Sequence, residues 1–112
     1  MNAKEELLED LRDFMKVKCA CIGHEYFNDA DDKVEDEIIL KVGYSESEFE
    51  EFLNKLDFDY DDMEGPQYVW GIVWLEDGTW LARNHHDGLE WWTHVVSPAI
   101  PKICQRQTTI QF

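Results

Sequence analysis

The sequence predicts an α+β fold of two layers: a mainly antiparallel sheet of about five strands carrying two amphipathic helices, in the order α-β-β-α-β-β-β. Three observations carry that prediction. Residues 68–96 hold two Asp-Gly pairs, Asp77-Gly78 and Asp87-Gly88, between runs rich in Val, Ile, Trp and Thr, the pattern of tight hairpins. Two earlier stretches repeat apolar residues at helical spacing, each behind a capping signal. Between them, two stretches alternate with a period of two.

In order, Asn2 with Glu5 resembles a capping box, and Leu7, Leu8, Leu11, Phe14 and Met15 form one helical stripe. Over residues 17–26 the period becomes two, with Val17, Cys19 and Cys21 on one side and Ala20 and Ile22 on the other. Residues 28–36 read as an acidic turn, followed by a strand in which Ile38, Leu40 and Val42 alternate with Glu37, Ile39 and Lys41. Ser45 and Glu48 form a second capping box, behind which Phe49, Phe52, Leu53 and Leu56 fall at i, i+3, i+4 and i+7. The acidic run of residues 57–65 and Pro66 lead into the hairpins. Past Val96, the Ser97-Pro98 and Ile100-Pro101 pairs exclude a central strand, so residues 97–112 are expected as an extended or loose tail of a single domain spanning 1–112.

Taken as two-residue turns, the Asp-Gly pairs fix a register. Leu75 would oppose Trp80 and Val73 oppose Ala82; Arg83 would oppose Trp92 and Asn84 oppose Trp91. One face would then carry Val69, Val73, Leu75, Trp80, Ala82, Trp91, Thr93 and Val95. The other would carry Trp70, Ile72, Trp74, Leu81, Arg83, His85, Glu90, Trp92 and His94. Both faces hold apolar surface, so helices on one of them leave the other as a candidate interface. Trp70, Trp74, Arg83 and Trp92 are the expected anchors there.

Composition limits the function. The net charge of -15 disfavours direct contact with nucleic acid or anionic lipid and favours a basic partner. No long apolar run and no leader pattern is present, so neither a membrane span nor a signal peptide is expected. Three cysteines suggest a reducing compartment. Cys19 and Cys21 would share a side of their strand; buried structural thiols are preferred there to a metal site, which would need a second ligand pair.

Catalytic signatures are weak. His85 and His86 point to opposite faces of a strand, whereas His85, Glu90 and His94 share a face and could form a small metal-dependent hydrolase centre. The run Asp57, Asp59, Asp61, Asp62 lacks the glycine and the final glutamate of a calcium loop, since Asp62 and Tyr68 stand at those positions. The preferred reading is non-enzymatic, without cofactor or metal. Two acidic clusters, Asp29, Asp31, Asp32 and Glu35, then Asp57, Asp59, Asp61 and Asp62, would present carboxylates about 6.5 to 7 Å apart on extended backbone, near the spacing of nucleic-acid phosphates.

The pattern Trp70-Gly71, Asp77-Gly78-Thr79-Trp80, Asp87-Gly88-Leu89-Glu90-Trp91-Trp92 and Ile100-Pro101 resembles a group of small uncharacterised proteins of phages and other mobile elements. The likeness covers residues 43–101 and contains no catalytic motif. It implies an anti-CRISPR-like inhibitor in the cytoplasm of a bacterial cell, acting as a DNA mimic on a nucleic-acid-binding defence nuclease, as a monomer or homodimer. A self-associating structural protein is the third alternative.

Overall fold

A computed structural model describes residues 1–12, 15–27, 30–60, 67–97 and 101–104. Its elements are α1 (Ala3–Leu11), β1 (Val17–Phe27), β2 (Lys33–Leu40), α2 (Glu46–Lys55), β3 (Val69–Leu75), β4 (Trp80–His86), β5 (Leu89–Val95) and a 3-10 turn at Lys102–Cys104. The strands form one antiparallel sheet in the order β2-β1-β3-β4-β5, so the expected α+β architecture and element order hold. Strand β1 is paired on both sides, and α2 carries the chain from edge strand β2 across to β3.

Both helices start where the capping signals predict, α1 with the Asn2 half of its box alone. The Asn2 side chain accepts from Glu5 N at 3.0 Å, and in α2 the Ser45–Glu48 box is complete in both directions. These contacts satisfy amides that have no partner within the helix. Helix α1 ends at Leu11, earlier than the apolar stripe suggests, because Arg12 leaves the helix at φ 56. Leu7 and Leu11 are buried, Leu8 is exposed, Met15 packs on the core from beyond the helix, and Phe14 lies outside the described residues.

The core lies between the helices and one sheet face. Ala20, Ile22, Ile38, Leu40, Val69, Val73, Leu75, Leu81 and Trp92 supply the sheet side; Leu7, Leu11, Phe52, Leu56 and Tyr60 supply the cover. Past α2 the chain is fastened to the N-terminus: Ala3 N donates to Phe58 O and Tyr60 N to Met1 O, both at 2.9 Å. Phe58 also stacks on His24 of β1, with ring centroids 3.6 Å apart.

Two local irregularities overturn the expected faces. A bulge between Val17 and Cys19 turns Val17 into the core, away from the cysteines it was expected to join. The first Asp-Gly hairpin is also not a two-residue turn. Gly78 N donates to Leu75 O at 3.2 Å, Leu75 N to Thr79 O at 2.9 Å, and Gly78 alone takes a positive φ, of 89°. That is a three-residue loop with a glycine bulge. It sets Trp74 opposite Trp80 and Val73 opposite Leu81, one residue away from the expected register. A one-residue slip moves every side chain of one strand to the other face. The second hairpin does follow expectation, with Asp87 at φ 50, Gly88 at φ 82 and Arg83 opposite Trp92.

Residues 28–36 are not all turn: β2 begins at Lys33, and its charged side chains suit an unpaired sheet edge. Gly71 is required by close approach. At φ 136 its backbone lies so near β1 that a Cβ would stand 2.2 Å from the Cys21 carbonyl oxygen.

Candidate partner-binding face

The slipped register produces two unlike sheet faces. Beneath the helices lie Arg83, Glu90 and Trp92; on the other side lie Trp70, Ile72, Trp74, Trp80, Ala82, Trp91, Thr93 and Val95. Four of the five tryptophans therefore occupy the face that neither α1 nor α2 covers.

Arg83 and Trp92, expected as partner anchors, belong to the covered face. The Arg83 side chain is 1% exposed and is held from four sides. It donates through Nη1 to Glu6 Oε1 at 2.8 Å, through Nη2 to Glu90 Oε1 at 2.9 Å and to the Tyr60 hydroxyl at 2.6 Å, and it stacks 5.2 Å from the Trp92 ring centre. Tyr60 in turn donates to Glu6 Oε1 at 2.5 Å. Burial opposes the guanidinium charge, but the Tyr60 and Glu6 contacts outweigh it and hold the Arg83 pKa above its ordinary value. Burial, then the bond to Glu6, pushes the Tyr60 phenol upward as well.

That network also consumes Glu90. Its carboxylate is fully buried and accepts from Tyr68 N at 2.6 Å and Val69 N at 3.1 Å as well as from Arg83. His94 is exposed and its Nε2 lies 2.8 Å from the Thr79 hydroxyl, while His85 is exposed at the far end of β4. Of the three residues of the expected hydrolase centre, Glu90 is thus held in the buried cluster and His94 at Thr79, while His85, opposite Glu90 in the register, is exposed. Among the described residues no group of three or more His, Cys, Asp or Glu could hold a metal ion.

Trp70 and Trp74 lie on the open face as expected, 38% and 40% exposed, and Trp91 at 40% joins them. Cys19 and Cys21 share this face opposite Trp74 and Ile72, and Cys21 is exposed, not a buried thiol. The cysteines follow from parity: with Ala20 and Ile22 turned inward, the odd positions of β1 past the bulge must face out. Trp91 was missed because its orientation relative to β3 depends on the bulged turn between β3 and β4, which Asp-Gly alone does not distinguish from a two-residue turn.

The acid is divided. At one end of the open face, Glu25 stands opposite Glu35 and Gly23 opposite Glu37. Lys33 bridges the first two, with Nζ 2.5 Å from Glu25 and 3.7 Å from Glu35, and relieves like charges placed across a strand pair. Asp31, at φ 61, and Asp32 are exposed in the adjoining turn, and Asp29 lies outside the described residues. Asp57 and Asp59 belong to the helix layer, where both accept from the Asn2 amide, at 3.0 and 3.2 Å. Asp61 and Asp62 lie outside the described residues.

No helix among the described residues is long and apolar enough to cross a membrane. No family model, curated protein or solved structure matches this chain, so a functional conclusion rests on its own surface chemistry.

Proposed function

We propose that this chain is a non-enzymatic binding protein that docks its tryptophan face and the adjoining acidic edge on a basic, nucleic-acid-binding surface of a bacterial protein, and so occludes it. The resemblance of the hairpin pattern extends this to an anti-CRISPR-like inhibitor of a defence nuclease. The observation that carries the reading is the uncovered row of Trp70, Trp74 and Trp91 on a chain of net charge -15.

Magnitudes divide the labour between the two features. An indole buries about 150 to 250 Å², so two-fifths of one is roughly 60 to 100 Å², and covering it yields about 1.5 to 2.5 kcal/mol at 25 cal/mol/Å². An exposed ion pair yields about 0.2 to 1 kcal/mol. The tryptophans therefore hold a partner, and the carboxylates speed encounter and exclude acidic competitors. Self-association through the same face is disfavoured by repulsion between two highly acidic copies.

The test is binding to a panel of purified bacterial nucleases, CRISPR effectors included, with duplex DNA or guide RNA as competitor. The expected result is binding to one of them that weakens with salt and is displaced by nucleic acid. Binding that is indifferent to both would refute occlusion of a nucleic-acid surface.

A further inference from the structure

We propose that the cleft above Gly23 on the open face receives an arginine side chain of the basic partner, its guanidinium laid on the indole of Trp70 and forked on Glu37. This rests on the reading of the open face as a docking surface and names the group that the face selects.

Position 23 holds a glycine that the local backbone does not demand. Gly71, its near neighbour across β1 and β3, has a positive φ and no room for a Cβ. Gly23 has neither constraint: its φ lies outside the left-handed region, and an added Cβ would meet no atom within 4 Å. A glycine inside a strand costs stability and packs nothing, so its effect here is the space it leaves. That space is a cleft of about 290 Å³, lined by Gly23, His24 and Glu25 of β1, with Trp70 on one flanking strand and Glu35, Asp36 and Glu37 on the other. The volume suits one side chain better than a free cofactor.

Chemistry selects the side chain. An aromatic wall beside carboxylates attracts a cation, and a planar guanidinium can stack on an indole while donating two parallel hydrogen bonds to one carboxylate. A lysine ammonium can do only the first as a point charge. Lys33 already engages Glu25, whereas Glu37 forms no ion pair with any described residue and, paired with Gly23 across from Trp70, is the carboxylate that the register sets on the open face beside the indole. The tryptophans continuing along the face toward Trp74 and Trp91 supply apolar contact for the chain that carries the arginine.

The probes are a blocked peptide alternating arginine with apolar residues and its citrulline and lysine counterparts. Each is titrated into wild type, Gly23→Val, Glu37→Gln and Trp74→Ser, with affinity by calorimetry and the Trp70 indole N–H followed by NMR. The arginine peptide should bind wild type, shift the Trp70 signal, and outcompete the citrulline peptide by roughly tenfold or more and the lysine peptide by less. Gly23→Val, which adds a β-branched residue pointing into open space, should keep the fold and lose roughly tenfold in affinity together with the Trp70 shift. Glu37→Gln should lose the preference for arginine over citrulline. No binding to wild type, a preference for lysine, or unchanged affinity in Gly23→Val would overturn the proposal. Should Gly23→Val bind a basic protein normally while Trp74→Ser does not, the arginine cleft is wrong and the open-face reading stands. If neither variant changes binding, both fall; concentration-dependent dimerisation through Trp70 would assign the cleft to a second copy and overturn it too.

Discussion

Replacing Arg83 by methionine should come close to unfolding the protein. The guanidinium is 1% exposed and is the only cation in contact with Glu6 and Glu90 among the described residues; Glu90 is itself 0% exposed. Removing one partner of such a cluster strands the other charge where water cannot reach it, at a cost of about 3 to 5 kcal/mol. For a domain whose total stability is of order 5 to 15 kcal/mol, that lowers Tm by roughly 12 °C or more. Urea and thermal denaturation followed by tryptophan fluorescence would measure it. The double variant Arg83→Met with Glu90→Gln removes the more deeply buried of the two stranded charges: Glu6 stays ionised without its cation, and the amide oxygen keeps one of the two bonds from Tyr68 N and Val69 N, which reach different oxygens of Glu90. It should recover part of the loss, about 1 kcal/mol. If Arg83→Met alone lies within about 1 kcal/mol of wild type, Arg83 does not bind the helix layer to the sheet and the face assignment fails.

On the opposite face, Trp74→Ser or Trp91→Ser should cost only about 1 kcal/mol, because each gives up cross-strand contact and no core; a loss of the size expected for Arg83 would place these indoles in the interior. Stability should also fall on mild acidification because of His24. Burial lowers its pKa below 6.5, with Asp36 and Glu90 pulling the other way. The unfolded chain therefore binds the proton first, so the contribution is complete above about pH 6.5 and is lost as pH falls through the folded value. His24→Phe, which keeps a ring against Phe58, should flatten that part of a pH series of urea midpoints, and an unchanged slope would show that other groups cause it. Gly71→Ala should destabilise by more than about 2 kcal/mol through the positive φ and the clash with Cys21, whereas Ala at Gly23 should be neutral or stabilising; equal effects at the two sites would contradict the backbone geometry.

How much was legible in the sequence depended on the range of the interaction that decides each feature. The two caps and the second hairpin are settled within a few residues, by Asn2 and Glu5, Ser45 and Glu48, and Asp87-Gly88, and all formed where expected. The first hairpin is ambiguous at the same range. Asp-Gly suits both a two-residue turn and a three-residue loop with glycine in the bulge, and Asp77 here accepts from Thr79 N at 2.9 Å, a contact that favours the longer form. One residue of difference then reversed β4 and β5 against β3. An internal signal did exist: with Val69, Val73 and Leu75 inward, the expected register would have put Leu81 outside and Trp80 inside, while the observed one joins Leu81 to the aliphatic row. The Arg83 cluster lay beyond local reading altogether, since it gathers Glu6, Tyr60 and Glu90 from three separate parts of the chain.

The same distinction between local and long-range contacts bears on which acids can serve a partner. Asp57 and Asp59 look like surface charge in the sequence, yet both hold the amide of Asn2, whose oxygen caps α1. A lysine at either position would turn an acceptor into a repelled cation beside the exposed amides of the helix N-terminus, where negative charge is favoured. Loss of binding after reversing Asp57 and Asp59 would therefore report damage to α1 as readily as loss of a contact. Glu35 and Glu37 carry no such duty: they project from an edge strand, beside the open face, with Lys33 3.7 Å from Glu35 and Lys55 lining a groove with Glu37. Charge there is uncoupled from the core, so its removal changes what the surface attracts and leaves intact what the helices hold.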